Sequence, residues 1–184
     1  MKRILKESVQ KMNGRKKYKG ELYSFFRSER NIGSGGNGAV YDVEFEGDEG
    51  FEFPIVAKFF EYGVDKEKRY NRFKNEIIAL NALKGIEGIM EVIDKQCPHV
   101  VPQTKDEAWY LMPKAKPYKL NRKRNIYSKI LEMLQLARII QSIHERDKAH
   151  RDIKPENILV LNGKLVLSDF GLCWGIGEER LTGL

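Results

Sequence analysis

The chain has 184 residues, 41% of them hydrophobic and 32% charged, a balance that suits a soluble globular protein with one good core or two small lobes sharing a cleft. No apolar run approaches the ~18 residues of a membrane span, and the basic start lacks the apolar stretch of a secretory signal. Cys97 and Cys173 stand far apart, with no second cysteine or histidine at metal spacing, so a disulfide framework and a zinc site are disfavoured and a cytoplasmic location is expected.

The net charge of +7 is uneven. Lys2, Arg3, Lys6, Lys11, Arg15, Lys16, Lys17 and Lys19 face Glu7 alone, so residues 1–20 carry it and the remainder is balanced. Such a leader, read over residues 1–28, is either an arm for an acidic partner or a solvated, loosely helical extension. A second basic cluster runs from Lys114 to Arg124, where a taste for acidic substrates competes with a plain solvated connector.

In chain order, strands come first. Val40, Tyr41, Val43 and Phe45, then Phe51, Phe53, Ile55 and Val56, nearly alternate and are β-branched or aromatic, with a turn signal at Glu46-Gly-Asp-Glu-Gly50. Tyr70, Phe73, Ile77 and Leu80 recur at helical steps, and Gly85 and Gly88 end that helix. Ile89 to Ile93 and Trp109 to Met112 predict two more strands. Pro113 and Pro117 mark a connector to a second region. There Ile126, Ile130, Met133, Leu134, Ala137, Ile140 and His144 trace one face of a long helix over about 125–145. Asn162-Gly163 between Ile158–Leu161 and Leu165–Leu167 predicts a hairpin.

Three segments carry chemistry. The glycine loop Gly33-Ser34-Gly35-Gly36-Asn37-Gly38 is followed by the strand-like Ala-Val40-Tyr-Asp-Val, so it sits in a β-hairpin and does not open a helix as a dinucleotide fingerprint would. Missing side chains let backbone N–H groups approach phosphate oxygens. Lys58 ends the apolar run Ile55-Val-Ala57-Lys58, and Glu76 falls on the apolar face of the first helix. Two opposite charges, each misplaced in its own apolar surface, most simply pair with each other. The run His150-Arg-Asp152-Ile-Lys154-Pro-Glu-Asn157 then precedes Asp169-Phe-Gly171, with Asp152 and Asp169 17 residues apart.

Together these segments resemble the eukaryotic-type protein kinase family, in its serine/threonine branch because Lys154 follows Asp152, and the resemblance reaches from about Glu29 to about Gly177. It implies an α+β, protein-kinase-like fold. A five-stranded N-lobe sheet with one helix would span 29–113, and an incomplete helical C-lobe 114–184, the chain stopping inside its activation segment. It implies ATP and Mg²⁺ as cofactors and a protein serine or threonine as substrate. Lys58 would contact the α- and β-phosphates, with Glu76 holding it. Ile32, Val40 and Ala57 would line the adenine site together with Met112 at its back, and Ala115 would bond adenine through its backbone. Asp152 would receive the substrate hydroxyl proton, Lys154 would neutralise the moving phosphoryl group, and Asn157 and Asp169 would hold magnesium. His150 would pack on Phe170, and Arg151 would bind a phosphorylated activation loop.

Departures from the family pattern bear on function. Asp147-Lys148 stands where small or apolar residues usually precede the catalytic loop. The Ala-Pro-Glu motif and the central buried helix have no counterpart, so apolar residues of the long helix, such as Ile130, Leu134 and Ile140, lose cover and self-association or a partner completing the lobe is expected. Thr182 stands where phosphorylation could order the segment through Arg151; the alternative is an incidental threonine in a frayed terminus. Two other functions stay open: a truncated nucleotide-binding module that regulates a partner without catalysis, and a kinase-like phosphotransferase acting on a small molecule.

Overall fold

The computed structural model describes residues 15–35, 38–47, 49–104, 106–120 and 123–175. Among these, one antiparallel sheet of seven strands leads the chain. Its strands are β1 (Lys17–Lys19), β2 (Ser24–Arg27), β3 (Gly33–Gly35), β4 (Gly38–Phe45), β5 (Ile55–Phe60), β6 (Asp94–Gln96) and β7 (Trp109–Pro113). They run in the order β1-β2-β4-β5-β7-β6, with β3 also paired to β4.

This is more sheet than the five strands the sequence pattern predicts. Residues 17–27, within the basic leader, form an added ribbon whose Tyr18 and Phe25 are buried. Hydrophobic patterning was blind to it because Lys17 and Lys19 flank a single buried tyrosine. Arg15, Lys16 and Lys17 pair with Glu44, Asp106 and Glu46, so these leader charges meet the chain's own carboxylates. The strand expected over 89–93 is displaced to β6. Ile89 instead makes a lone parallel bridge to Leu167. Phe51 and Phe53 lie in the loop before β5, packed against the aromatic cluster.

All of β5 is buried, because both faces of the sheet are covered. Val56 and Phe60 point to an inner core with Tyr110 and Met112 of β7. Ile55, Ala57 and Phe59 point to an outer aromatic cluster with Trp109, Tyr18 and Phe25. Phe25 meets Trp109 edge-on at 4.8 Å, within the range where aromatic pairs add to simple burial. The Arg27 guanidinium lies 4.1 Å over the Tyr41 ring and pairs with Asp106, closing this cluster.

Helix α1 (Lys66–Ala82) lays Tyr70, Phe73, Ile77 and Leu80 on the inner core. Each such side chain, fully buried, contributes about 1.5–3 kcal/mol. The connector forms β8 (Lys116–Pro117), which pairs with β10 (Ile158–Leu161); β10 pairs in turn with β11 (Lys164–Leu167) through a turn in which Asn162 and Gly163 have φ 50° and 78°. That is the predicted Asn-Gly hairpin. A last pair joins β9 (Lys148–Ala149) to β12 (Trp174–Gly175).

Helix α2 (Ile126–His144) starts at Asn125, whose side chain accepts from the Ser128 N–H. Of the three residues expected to lose cover, Ile130 and Leu134 are exposed, while Ile140 packs against the inner core. Ile139 and Ile143 are buried with Leu136 beside them, whereas Ile126, Ile130, Met133 and Leu134 are each 46–70% exposed. The helix is apolar around most of its circumference, so periodicity alone could not select the buried face.

Candidate active site

The glycine hairpin is built by β3 and β4, with Gly33 opposite Val40 and Gly35 opposite Gly38. Gly36 and Asn37 lie outside the described residues. The three described glycines are not equivalent. A Cβ on Gly38 would stand 2.4 Å from the Phe59 carbonyl oxygen of β5, whereas Gly33 and Gly35 open onto empty space. Gly38 thus serves strand packing, and Gly33 and Gly35 leave the backbone open to a ligand.

Beneath this hairpin β5 presents Lys58, level with Val40 of β4 and Tyr110 of β7. Its ammonium lies 2.8 and 2.7 Å from the two oxygens of Glu76 on α1. Both residues are buried, Glu76 to 1% exposure. The Tyr110 hydroxyl donates to Glu76 Oε1 at 3.0 Å, a partner no sequence signal announced. Burial pushes the Glu76 carboxyl upward, while the Lys58 charge and the two hydrogen bonds pull it back.

The second half of the site is the loop after α2. Asp147 takes φ 53°, a left-handed conformation that Asp tolerates better than most residues, which accounts for its unusual place before the loop. Arg151 is also left-handed, at φ 66°. His150 is buried against Phe170, with ring centroids 4.4 Å apart. The Asp152 N–H donates to His150 Nδ1, which leaves Nε2–H to donate to the Ser168 carbonyl at 3.0 Å. Burial holds the imidazole below its ordinary range, and so neutral, as this tautomer requires.

Asp152 is held from two sides. Lys154 Nζ donates to its Oδ2 at 2.8 Å, and Asn157 Nδ2 donates to Oδ2 at 3.0 Å and to the Asp152 carbonyl at 2.8 Å. These bonds, Lys154's foremost, keep the carboxyl below its usual range. Asn157 is buried, with its amide nitrogen used twice and its Oδ1 left as an acceptor. Ser168 N–H donates to the Asn157 carbonyl at 3.0 Å, which ties the loop to β11.

Asp169 joins the halves. It follows β11 with φ 58° and opens a 3₁₀ turn over Phe170–Leu172. That turn is fastened to α1 by Asn75, whose amide donates to the carbonyls of Gly171 at 3.2 Å and Cys173 at 2.9 Å. After burial and Lys58, the Asp169 charge adds to the upward push on Glu76; after Asp152, it helps stabilise the Lys154 ammonium. One carboxylate therefore acts on both the Lys58–Glu76 pair and the Asp152 loop.

At the back, Met112 is nearly buried on β7, Ala115 is half-buried just beyond, and Ile32 is about half exposed before the glycine hairpin. Ala57, expected to line the adenine site, is instead fully buried on the opposite face of β5 in the outer aromatic cluster, because side chains alternate along a strand and Lys58 takes the inner face. Sequence reasoning missed Tyr110, Asn75 and Ser168. Only Ser168 carried a signal, its place directly before Asp169.

Comparison with known proteins agrees with this geometry. A probable casein kinase I homolog of Encephalitozoon cuniculi is 32% identical over 149 residues, covering 78% of this chain and 44% of that protein. The serine/threonine-protein kinase mph1 of Schizosaccharomyces pombe is 29% identical over 157 residues, 80% of this chain and 22% of its own length. The sporulation-specific mitogen-activated protein kinase SMK1 of Saccharomyces cerevisiae is 30% identical over 152 residues, 79% of this chain and 38% of its length. The chain thus spans less than half of each of these relatives. Residues 26–182 match the protein kinase domain, and with that match over the glycine hairpin, the Lys58–Glu76 pair and the Asp152 loop, the chain belongs to the protein kinase family.

Proposed function

We propose that the chain transfers the γ-phosphoryl group of ATP, bound with magnesium, to a serine or threonine hydroxyl of a protein. The observation that supports this most is that one structure holds both the buried Lys58–Glu76 pair and Asp152 clasped by Lys154 and Asn157. Phosphoryl transfer needs positioning and charge stabilisation more than covalent help from the protein. Lys58, oriented by Glu76, would hold the α- and β-phosphates under the hairpin of Gly33 and Gly35. Ile32, Val40, Met112 and Ala115 would enclose adenine, without Ala57, which faces the other side of the sheet.

Magnesium takes few protein ligands and hard oxygens, and the Asp169 carboxylate and Asn157 Oδ1 are of that kind. When bound it would spread the phosphate charge. Asp152, kept ionised by Lys154 and Asn157, would accept the hydrogen bond of the substrate hydroxyl and take its proton late in the transfer. Lys154 would swing its ammonium from Asp152 toward the moving phosphoryl group.

Transfer of γ-phosphate from ATP to a generic basic protein, with Asp152→Asn as control, tests this reading. Transfer lost in the variant, with ATP binding retained, is the expected result. A second reading, a nucleotide-binding module that regulates a partner, is favoured by the exposed apolar residues of α2. ATP binding without any transfer would select it. Phosphate found on a small-molecule hydroxyl alone would select a small-molecule phosphotransferase.

A further inference from the structure

Apart from the residues around Asp152, the connector between the two lobes builds a groove of about 690 Å³. Lys119, Lys123 and Arg124 line it together with the exposed Leu120 and the more buried Val160 and Leu165. Two firm walls flank it. One is α2, through Glu132 and Gln135; the other is the β10–β11 turn at Gly163. The connector itself is pinned to β10 by the Tyr118 N–H, which donates to the Ile158 carbonyl at 3.0 Å.

Among the described residues lining the groove, Glu132 is the one acid, against Lys119, Lys123 and Arg124. Both its oxygens are engaged: Arg124 pairs with Oε1, and the Tyr118 hydroxyl donates to Oε2 at 2.7 Å. The described lining is therefore formally net positive, while Leu120 stands 63% exposed beside these cations. We propose that this groove docks an acidic segment of a protein partner that also carries an apolar side chain. Carboxylates would meet the cations while the apolar side chain covers Leu120. A nucleic-acid strand would satisfy the cations alone: Tyr118, the aromatic residue lining the groove, is half-buried with its hydroxyl tied to Glu132, which leaves a poor stacking platform.

The test uses the full chain and a short fluorescein-labelled peptide of glutamates interrupted by leucines, followed by anisotropy. Binding should weaken with added salt. It should fall about tenfold or more in the Lys119→Glu, Lys123→Glu double variant, because opposite charges across an interface become like charges. Lys68→Glu, a charge reversal on the exposed side of α1, should leave it nearly unchanged. The idea is overturned if the peptide does not bind or if Lys68→Glu weakens it equally. An oligothymidylate of matching charge binding as tightly would also overturn it, since the cations alone would then decide. Magnesium-dependent ATP binding, measured on the same variants, reports separately on the nucleotide site and should not change.

Discussion

Ile139 of α2 occupies the space that a side chain on Gly88 would need. A Cβ on Gly88 would lie 2.4 Å from both Cγ1 and Cδ1 of Ile139, and Gly88 itself has φ +84°. Gly88 also accepts the Leu167 N–H through its carbonyl at 2.8 Å, and the Met90 N–H donates to the Leu167 carbonyl at 3.3 Å. One glycine thus brings together the segment after α1, the docked stripe of α2 and the strand β11 that leads to Asp169.

Gly88→Ala should therefore destabilise the chain by about 1–3 kcal/mol, from backbone strain at positive φ and from overpacking. Urea denaturation read by circular dichroism measures this. Gly85→Ala is the informative control: Gly85 has φ +85° but open space around it, so it should show the strain alone and a smaller loss.

Lys58→Met should lower phosphoryl transfer by about a hundredfold or more, because a preorganised cation is removed from the phosphate site. It also strands Glu76 with only the Tyr110 hydroxyl as partner, at a cost of about 3 kcal/mol. Adding Glu76→Gln should recover part of that stability and none of the activity. Equal stability of the single and double variants would mean that Lys58 does not compensate a buried charge.

His150 makes stability pH-dependent in a defined direction. Its folded pKa lies below the ordinary 6.5, chiefly through burial, with the Ser168 hydrogen bond and the Asp169 and Asp152 charges opposing. A depressed folded value means that the unfolded chain takes up the proton first. The stability contribution is then complete above the unfolded pKa and is lost as pH falls from there toward the folded pKa, with a limiting slope of about 1.4 kcal/mol per pH unit. His150→Gln, neutral throughout, should flatten the curve in that window. An unchanged curve in the variant would assign the acid sensitivity elsewhere.

Asp94 accepts four backbone N–H groups, from Glu21, Leu22, Tyr23 and Lys95, while nearly buried on β6. Asp94→Ala should cost about 2–3 kcal/mol, since hydrogen bonds to a charged acceptor are the stronger ones. Amide exchange should lose protection at residues 21–23 before the rest of the sheet. Global loss without that local signature would show that Asp94 is not the clasp of the β1–β2 ribbon.

The sequence by itself determined the chemistry-bearing segments, the two helices and the Asn-Gly hairpin. Each depends on residues close along the chain, where turn conformation, helical period and motif spacing are local properties. It also determined that Lys58 and Glu76 need partners, because an isolated charge in an apolar surface is costly. Tertiary structure decided which stripe of α2 is buried, since apolar residues spread around that helix offer several and Gly88 seats Ile139. It decided that residues 17–27 join the sheet, because Asp94, Glu44 and Asp106 lie far along the chain from the ribbon they hold. It also brought Tyr110, Asn75 and Ser168 into the site. Their roles are hydrogen bonds across strands and helices, and such contacts leave no period or spacing in the sequence to read.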